Sequence, residues 1–153
     1  MNLLKYAQID VLVDVRSNPN SQWAEFANKD KLKETLRLIK IQYIYLGDLL
    51  GGHPSYSDCY NALTNKVNYQ VIQKKEYFKR GIERLRNGIE KYRVCIMCSE
   101  EDPSLCHRHL LIGTDLRKEG VEVLHIRGDF RIQTDEELWK EKTGVSSDQP
   151  ALL

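Results

Sequence analysis

Four short apolar runs alternate along this chain with amphipathic stretches, and this alternation limits the possible folds more than any other feature. The runs cover residues 9–15, 41–46, 92–97 and 121–126, and each has the length of a buried strand. Alternating strands and helices are typical of a parallel sheet with helices packed on both faces. The sequence therefore predicts an α/β fold with an open, mainly parallel sheet of about four strands.

Apolar residues at helical spacing predict helices between these runs. The first helix is expected to begin near Asn28 or Asp30, and a long helix is expected over residues 69–91, where Gly81 and Gly88 weaken it. The residues expected to face the core are Leu32, Leu36 and Ile39 in the first helix and Phe78, Ile82, Leu85 and Ile89 in the second.

A third helix is predicted after the third run. Asp102 has the type of an N-cap, Pro103 suits the first helical position, and Gly120 suits the end of the helix. The apolar face of this helix is expected to carry Leu105, His109, Ile112 and Leu116.

The change in composition near residue 130 indicates how the chain is organised. Residues 1–130 are expected to form a single α/β domain, and residues 131–153 a C-terminal tail. A short helix at 135–140 is predicted to dock through Leu138 and Trp139, and the last ten residues are expected to be loose.

Composition excludes several classes of protein. The 153 residues, 41% hydrophobic and 29% charged, are typical of one soluble globular domain. No apolar run approaches the ~18 residues of a spanning helix, and the start lacks the pattern of a signal peptide, so a cytoplasmic location is expected. A net charge of +1 gives no reason to expect nucleic acid or a membrane as partner. No cofactor is predicted, and homo-oligomerisation stays open.

The segment from Cys98 to His109 concentrates groups that could carry chemistry. Two thiols, two imidazoles, one guanidinium and three carboxylates lie within twelve residues, directly after the third apolar run. Ligands of open α/β sheets bind beyond the carboxyl ends of the strands. The predicted strands end in groups of this kind: Asp14 and Arg16; Asp48, Gly51, Gly52 and His53; Cys98 and Glu100; His125, Arg127 and Asp129. The sequence therefore predicts a polar small-molecule site at this edge.

Acid–base chemistry on an anionic or nucleotide-like ligand is the leading hypothesis, as in a hydrolase or transferase. Glu100 would be the general base, with Asp14 as a second catalytic carboxylate, and Arg16 and Arg108 would hold the anion. The remaining residues expected to contact the ligand are His107, Cys98, Gly51, Gly52 and His125. The alternative is an ion-pair network in which Arg16 and Arg108 bridge the carboxylates and fix the loops.

The cysteines allow other interpretations. Cys95 and Cys98, three residues apart on a strand, point to opposite faces, which argues against a shared metal or disulfide. A cysteine-dependent phosphatase is rejected because Ser104 stands where its arginine is needed and the acidic residues after Cys98 repel phosphate. Cys106 is either a reactive thiol near a helix start or a packing residue.

A structural zinc site is a further alternative. On one helix His107 and His109 point about 200° apart, so they do not share one ion easily. Cys106 and His109, three residues apart, could do so with Cys98 opposite.

A non-catalytic binding module is the rival from another class, using the same cleft or a basic helix face. That face is interrupted by Glu76, Glu83 and Glu90, which weakens the case for nucleic acid. Its basic residues are Lys74, Lys75, Lys79, Arg80, Arg84 and Arg86.

Several segments together resemble the domain of unknown function 488 family of bacteria and archaea. The matching pieces are residues 12–19, 26–29, 43–52, 94–108 and 120–126. The resemblance implies a small α/β domain and no agreed activity. The positions that it carries over are Asp14, Arg16, Gly51, Gly52, Cys98, Glu100, Pro103, Cys106, His107, Arg108 and His125.

The start of the sequence departs from the pattern of that family. The resemblance implies an additional N-terminal strand before the helix whose remnant is residues 2–8, and this chain begins inside that helix. We therefore expect an exposed sheet edge where that strand would pair.

Overall fold

A computed structural model describes residues 1–144. The helices and strands alternate in the order that the apolar runs predict. The helices are α1 Asn2–Tyr6, α2 Lys29–Leu38, α3 Gly47–Leu50, α4 Tyr69–Ile72, α5 Glu76–Ile89, α6 Thr114–Lys118 and α7 Asp135–Thr143. The strands are β1 Val11–Asp14, β2 Gln42–Tyr45, β3 Val94–Met97, β4 Leu124–Ile126 and β5 Ile132–Thr134.

The central sheet is parallel, with strand order β2-β1-β3. Asp14 at the end of β1 pairs in register with Tyr45 on one side and Met97 on the other. The carboxyl ends of all three strands therefore meet at one edge. Within residues 1–144, helix α1 precedes β1, no strand does, and β2 and β3 are the two edge strands.

Helices cover both faces of this sheet, which confirms the α/β class. Because side chains alternate along a strand, Val11 and Val13 pack with helix α5 on one face, while Leu12 packs with helix α2 on the other. The predicted stripes are confirmed by the burial of Leu32 and Leu36 in α2 and of Phe78, Ile82 and Leu85 in α5. None of the helices in residues 1–144 combines the length and apolarity needed to cross a membrane.

The predicted long helix at 69–91 is two helices. Lys75 adopts an extended conformation and ends the run of helical residues between α4 and α5. Gly81, expected to weaken the helix, allows a close approach: a Cβ at this position would lie 2.7 Å from Leu50 Cδ2. The glycine therefore lets α5 pack directly against α3.

The fourth predicted strand does not join the parallel sheet. Residues 124–126 form β4, which pairs antiparallel with β5 in a separate hairpin. The turn signals lie at Gly128 and Asp129, whose carboxylate accepts a hydrogen bond from the Arg131 backbone N–H at 3.0 Å. Three strand ends, not four, therefore form the carboxyl edge.

The third helix is also interrupted. Asp102 caps a 3₁₀ turn over Pro103–Leu105 as predicted, its Oδ1 accepting from the backbone N–H of Ser104 at 2.9 Å. Cys106 is then extended (φ −112°, ψ 138°), and a π-helix covers Arg108–Gly113 before α6. Because Cys106 breaks the helical phase, Leu105 is 75% exposed, and its predicted place on the apolar face is wrong.

The C-terminal helix α7 begins with a capping box formed by Thr134 and Glu137. Leu138 is buried as predicted, whereas Trp139 is 57% exposed. The β4–β5 hairpin crosses residue 130, and the domain boundary expected there stays a prediction. Most of the tail expected to be loose, residues 145–153, lies outside the described part of the chain.

Candidate functional site

Four side chains that could bind a metal meet just beyond the end of β3. We call Cys98, Glu100, Cys106 and His107 the thiol–imidazole cluster; one ligand atom from each lies within 4.8 Å of all the others. Cys98 follows the strand directly and Glu100 lies in the next loop. The extended backbone at Cys106 turns the chain so that Cys106 and His107 both face the strand end.

The imidazole of His107 lies between the two thiols. Its Nδ1 is 3.5 Å from Cys98 Sγ and 4.0 Å from Cys106 Sγ. On the far side of Cys106, Sγ is 3.2 Å from Glu100 Oε2. Thiol, imidazole and carboxylate are therefore in direct contact.

The other ring nitrogen fixes the tautomer of His107. Nε2 lies 3.1 Å from the backbone carbonyl oxygen of Val15, at the end of β1. A carbonyl oxygen only accepts, so Nε2 carries the hydrogen and donates it. In the neutral ring Nδ1 then has a free lone pair, and this lone pair faces the thiols.

One side of the cluster is buried while the other faces solvent. Cys106 is 1% exposed and His107 7% exposed, whereas Cys98 is half-buried and Glu100 is exposed. The hydrogen bond to Cys106 raises the pKa of Cys98, and burial raises it further. The pKa of Cys106 is lowered by the hydrogen bond from Cys98, against the effect of burial, and by the Arg108 backbone N–H, 3.4 Å from Sγ.

Glu100 is an acceptor for both thiols. Burial raises its pKa, but hydrogen bonds from Cys98 and Cys106 outweigh that effect, so its pKa is lower than usual. The carboxylate is therefore charged at neutral pH. Glu100 is the residue predicted as a general base. It lies beside Cys98, predicted to contact the ligand, and Cys106, predicted as either a reactive thiol or a packing residue.

Arg108 binds the loop of the cluster, and its contact with an anion stays a prediction. Its guanidinium donates to the backbone carbonyl oxygen of Glu101 at 2.7 Å and also to that of Glu100. Arg108 thereby holds the loop that carries Glu100, while its own backbone N–H reaches Cys106.

Asp14 and Arg16 form a buried pair with each other. Arg16 donates to Asp14 through Nε at 2.9 Å and Nη2 at 2.7 Å, and Nη2 also reaches the carbonyl oxygen of Ala27 at 2.8 Å. Tyr43 Oη donates to Asp14 Oδ2 at 2.7 Å. Asp14 is fully buried. Its pairing with Arg16 is the kind of contact expected if Arg16 serves an ion-pair network that fixes the loops. Tyr43 is not among the residues predicted for the site; it pairs in register with Leu12, two residues before Asp14 on β1.

The glycine loop supports the cluster sterically. A Cβ on Gly52 would lie 2.7 Å from His107 Cγ, and one on Gly51 would lie 2.5 Å from Ser17 Oγ. The exposed His53 donates its backbone N–H to Ser17 Oγ at 2.9 Å. These two glycines therefore pack against the site, and their contact with a ligand stays a prediction.

His109 belongs to a second group, together with His125 and Asp135. His125 Nε2 is 2.7 Å from Asp135 Oδ1, and Arg117 pairs with the same carboxylate and lies 3.2 Å from His109 Nδ1. In the zinc set considered from the sequence, Cys98, Cys106 and His109, the structure brings the two cysteines together with His107 and not with His109. The break at Cys106 turns His107 toward the thiols and His109 away from them.

The C-terminal hairpin and helix α7 bind the loop of the cluster. Arg127 donates to both carboxylate oxygens of Glu101, at 3.0 and 3.1 Å, and Lys142 donates to Asp102 at 2.5 Å. The acidic residues next to Glu100 are thus held by cations from beyond residue 120.

The comparisons identify the family. The family model described as a domain of unknown function, DUF488, matches residues 1–114, so the chain belongs to this family. No curated protein and no solved structure matches the chain.

Proposed function

For this member of the DUF488 family, we propose that function depends on a zinc ion bound at the thiol–imidazole cluster, with Cys98, Cys106 and His107 as ligands and Glu100 as the fourth group. The observation that carries this proposal is the hydrogen bond from His107 Nε2 to the Val15 carbonyl oxygen. Metal-binding histidines characteristically donate their second ring N–H to a carbonyl or carboxylate, which orients the ring and leaves the other nitrogen for the metal.

The distances support tetrahedral binding. Zn–S bonds of about 2.3 Å and Zn–N bonds of about 2.0–2.1 Å at the tetrahedral angle separate sulfur from nitrogen by roughly 3.5 Å. The separations between His107 Nδ1 and the two sulfurs are 3.5 and 4.0 Å. Small side-chain adjustments would therefore complete the coordination shell.

The donor types favour zinc over harder cations. Thiolate and imidazole select zinc and related soft ions, whereas magnesium and calcium take oxygen ligands. The backbone N–H of Arg108, 3.4 Å from Cys106 Sγ, stabilises the thiolate that zinc requires. In the second group the positive charge of Arg117 already balances Asp135, so that group has less need of an ion.

An anionic or nucleotide-like ligand held by Arg16 and Arg108 is supported less well. Arg16 is committed to Asp14 and two backbone carbonyls, and Arg108 to the carbonyls of the cluster loop. Releasing Arg16 would leave the buried Asp14 carboxylate unpaired, and releasing Arg108 would free the loop that carries Glu100. A hydrolase or transferase activity stays part of the proposal, but at the cluster, with Glu100 rather than Asp14 as the reacting carboxylate.

A nucleic-acid-binding module also has less support. On the basic helix face, Lys75 pairs with Asp58, Lys79 with Glu76, and Arg86 with Glu119. These carboxylates reduce the net positive field that phosphate binding needs. The four free cysteines fit the reducing conditions of the cytoplasm, which we propose as the location.

Elemental analysis and competition with a chromophoric chelator test the proposal. We expect about one zinc per chain, and a loss of affinity of at least about tenfold in Cys98→Ser, Cys106→Ser and His107→Ala. Cys95→Ser is the matched control. Cys95 lies on β3, three residues before Cys98, and packs into the core on the opposite face of the sheet. A further variant carries all three substitutions at Cys98, Cys106 and His107. Wild-type protein that binds zinc no better than this variant would overturn the proposal.

A further inference from the structure

The thiol–imidazole cluster combines two thiols and one imidazole with a carboxylate. Closed structural zinc sites are built from four cysteine or histidine ligands, whereas sites with three protein ligands keep a position for water or substrate. Glu100 is the exposed member of the set, and Cys106 and His107 form its buried side. The position nearest Glu100 is therefore the one that solvent and solutes can reach.

Charge makes this position exchangeable. Two thiolates neutralise a divalent zinc ion, so the ion with Cys98, Cys106 and His107 carries no net charge. Adding Glu100 leaves one negative charge, and replacing Glu100 with an external carboxylate or hydroxamate leaves the same charge. Such an exchange requires no net change in electrostatics, and the Glu100 carboxylate is free to move into solvent.

We infer that the solvent-facing position of the cluster accepts a small anionic oxygen donor, such as a carboxylate or hydroxamate, which displaces the exposed Glu100 carboxylate, now 3.2 Å from Cys106 Sγ. This inference rests on the proposed zinc site. It defines the ligand by its chemistry: an anionic oxygen that binds the ion in place of the Glu100 carboxylate.

Cobalt(II) in place of zinc tests the proposed metal site and the exchangeable position separately. In the full chain, thiolate-to-cobalt charge-transfer absorption reports binding at Cys98 and Cys106, and the visible d–d bands report the coordination around the ion. We expect titration with acetohydroxamate to change the d–d bands of the wild-type protein saturably, while the charge-transfer band persists. Absence of the charge-transfer band would contradict the proposed metal site. Its presence without any response to acetohydroxamate would overturn only the inference of an exchangeable position.

A variant of Glu100 tests the exchange directly. Glu100→Gln should strengthen acetohydroxamate binding several-fold, because the competing carboxylate is gone, and should leave the charge-transfer band in place. Glu76→Gln is the control, since the Glu76 carboxylate pairs with Lys79 on helix α5. Equal acetohydroxamate affinity in wild type and Glu100→Gln would contradict the inference.

Discussion

Gly52 lies against the imidazole of His107 so closely that a Cβ added to the glycine would stand 2.7 Å from Cγ and 2.8 Å from Nδ1 of the ring. No side chain fits in this space unless the ring moves. The ring is fixed on its other side by the Val15 carbonyl oxygen. Loop and strand together therefore set the orientation of His107.

Gly52→Ala should lower zinc affinity by about tenfold or more, because the displaced ring no longer directs Nδ1 at the thiols. Chelator competition measures this change. Gly88→Ala is the matched control: a Cβ there meets only Val94 Cγ2 at 3.8 Å, and alanine in helix α5 should stabilise the fold by about 0.5–1 kcal/mol. Unchanged zinc affinity in Gly52→Ala would show that the ring is not held from this side.

Arg16→Ala should destabilise the protein strongly. Asp14 is fully buried, and removing its partner leaves an uncompensated charge, which costs about 3–5 kcal/mol. Urea unfolding monitored by circular dichroism measures the difference. Tyr43→Phe, which removes only one hydrogen bond to Asp14, should cost about 1 kcal/mol. A loss below that of Tyr43→Phe would contradict a structural role for Arg16.

Stability should fall as the pH drops below 6.5. Burial lowers the pKa of His125 and of His109 below the ordinary value of 6.5. The negative charge of Asp135 raises both pKa values, and the positive charge of Arg117 lowers them, but burial has the largest effect. The unfolded chain therefore binds protons before the folded chain does, so the stabilisation is complete above pH 6.5 and is lost as the pH falls toward the lower folded values. Urea unfolding between pH 8 and pH 5.5 measures this slope. His125→Gln should flatten the slope, and the exposed His53→Gln should leave it unchanged.

Arg127→Ala should loosen the loop of the cluster. Arg127 is 8% exposed and binds both carboxylate oxygens of Glu101 as well as Gln133, so its removal should cost more than about 1 kcal/mol. Hydrogen–deuterium exchange should rise over residues 99–105. Lys142→Ala removes a more exposed ion pair with Asp102 and should cost less than about 1 kcal/mol. Equal exchange in both variants would argue against control of the loop by Arg127.

Local patterns were enough to predict most of the fold. The apolar runs predict β1, β2 and β3, and the stripe at Leu32 and Leu36 predicts α2, because each pattern depends only on nearby residues. The pairing of β4 with β5 depends on a turn at Gly128, and β5 has only three residues, Ile132–Thr134. Such a short strand carries too little alternation to identify from sequence.

The position of the candidate cluster could be predicted from the sequence, but only part of its composition could. The rule of strand ends places Cys98 and Glu100 at the carboxyl edge of the sheet, where the cluster lies. The choice between His107 and His109 depends on the backbone at Cys106, which is extended although its neighbours have helical propensity. The pairing of Arg16 with Asp14 follows from their spacing of two residues. The hydrogen bond that the Asp14 carboxylate also accepts from Tyr43 joins residues 29 positions apart, and local sequence does not predict it.

The π-helix at Arg108–Gly113 has a consequence for how this segment tolerates insertions and deletions. A π turn holds one residue more than an α turn, and here the Thr114 hydroxyl donates to the carbonyl oxygen of His109 at 3.2 Å. Deleting one residue from this turn would convert it to an ordinary helix and rotate the preceding residues by about 100° relative to α6. The contact of His107 with Cys98 and the contact of His109 with Arg117 could then not both be kept. The wide turn thus lets Cys106 and His107 keep their place beyond β3 while His109 keeps its place beside Arg117.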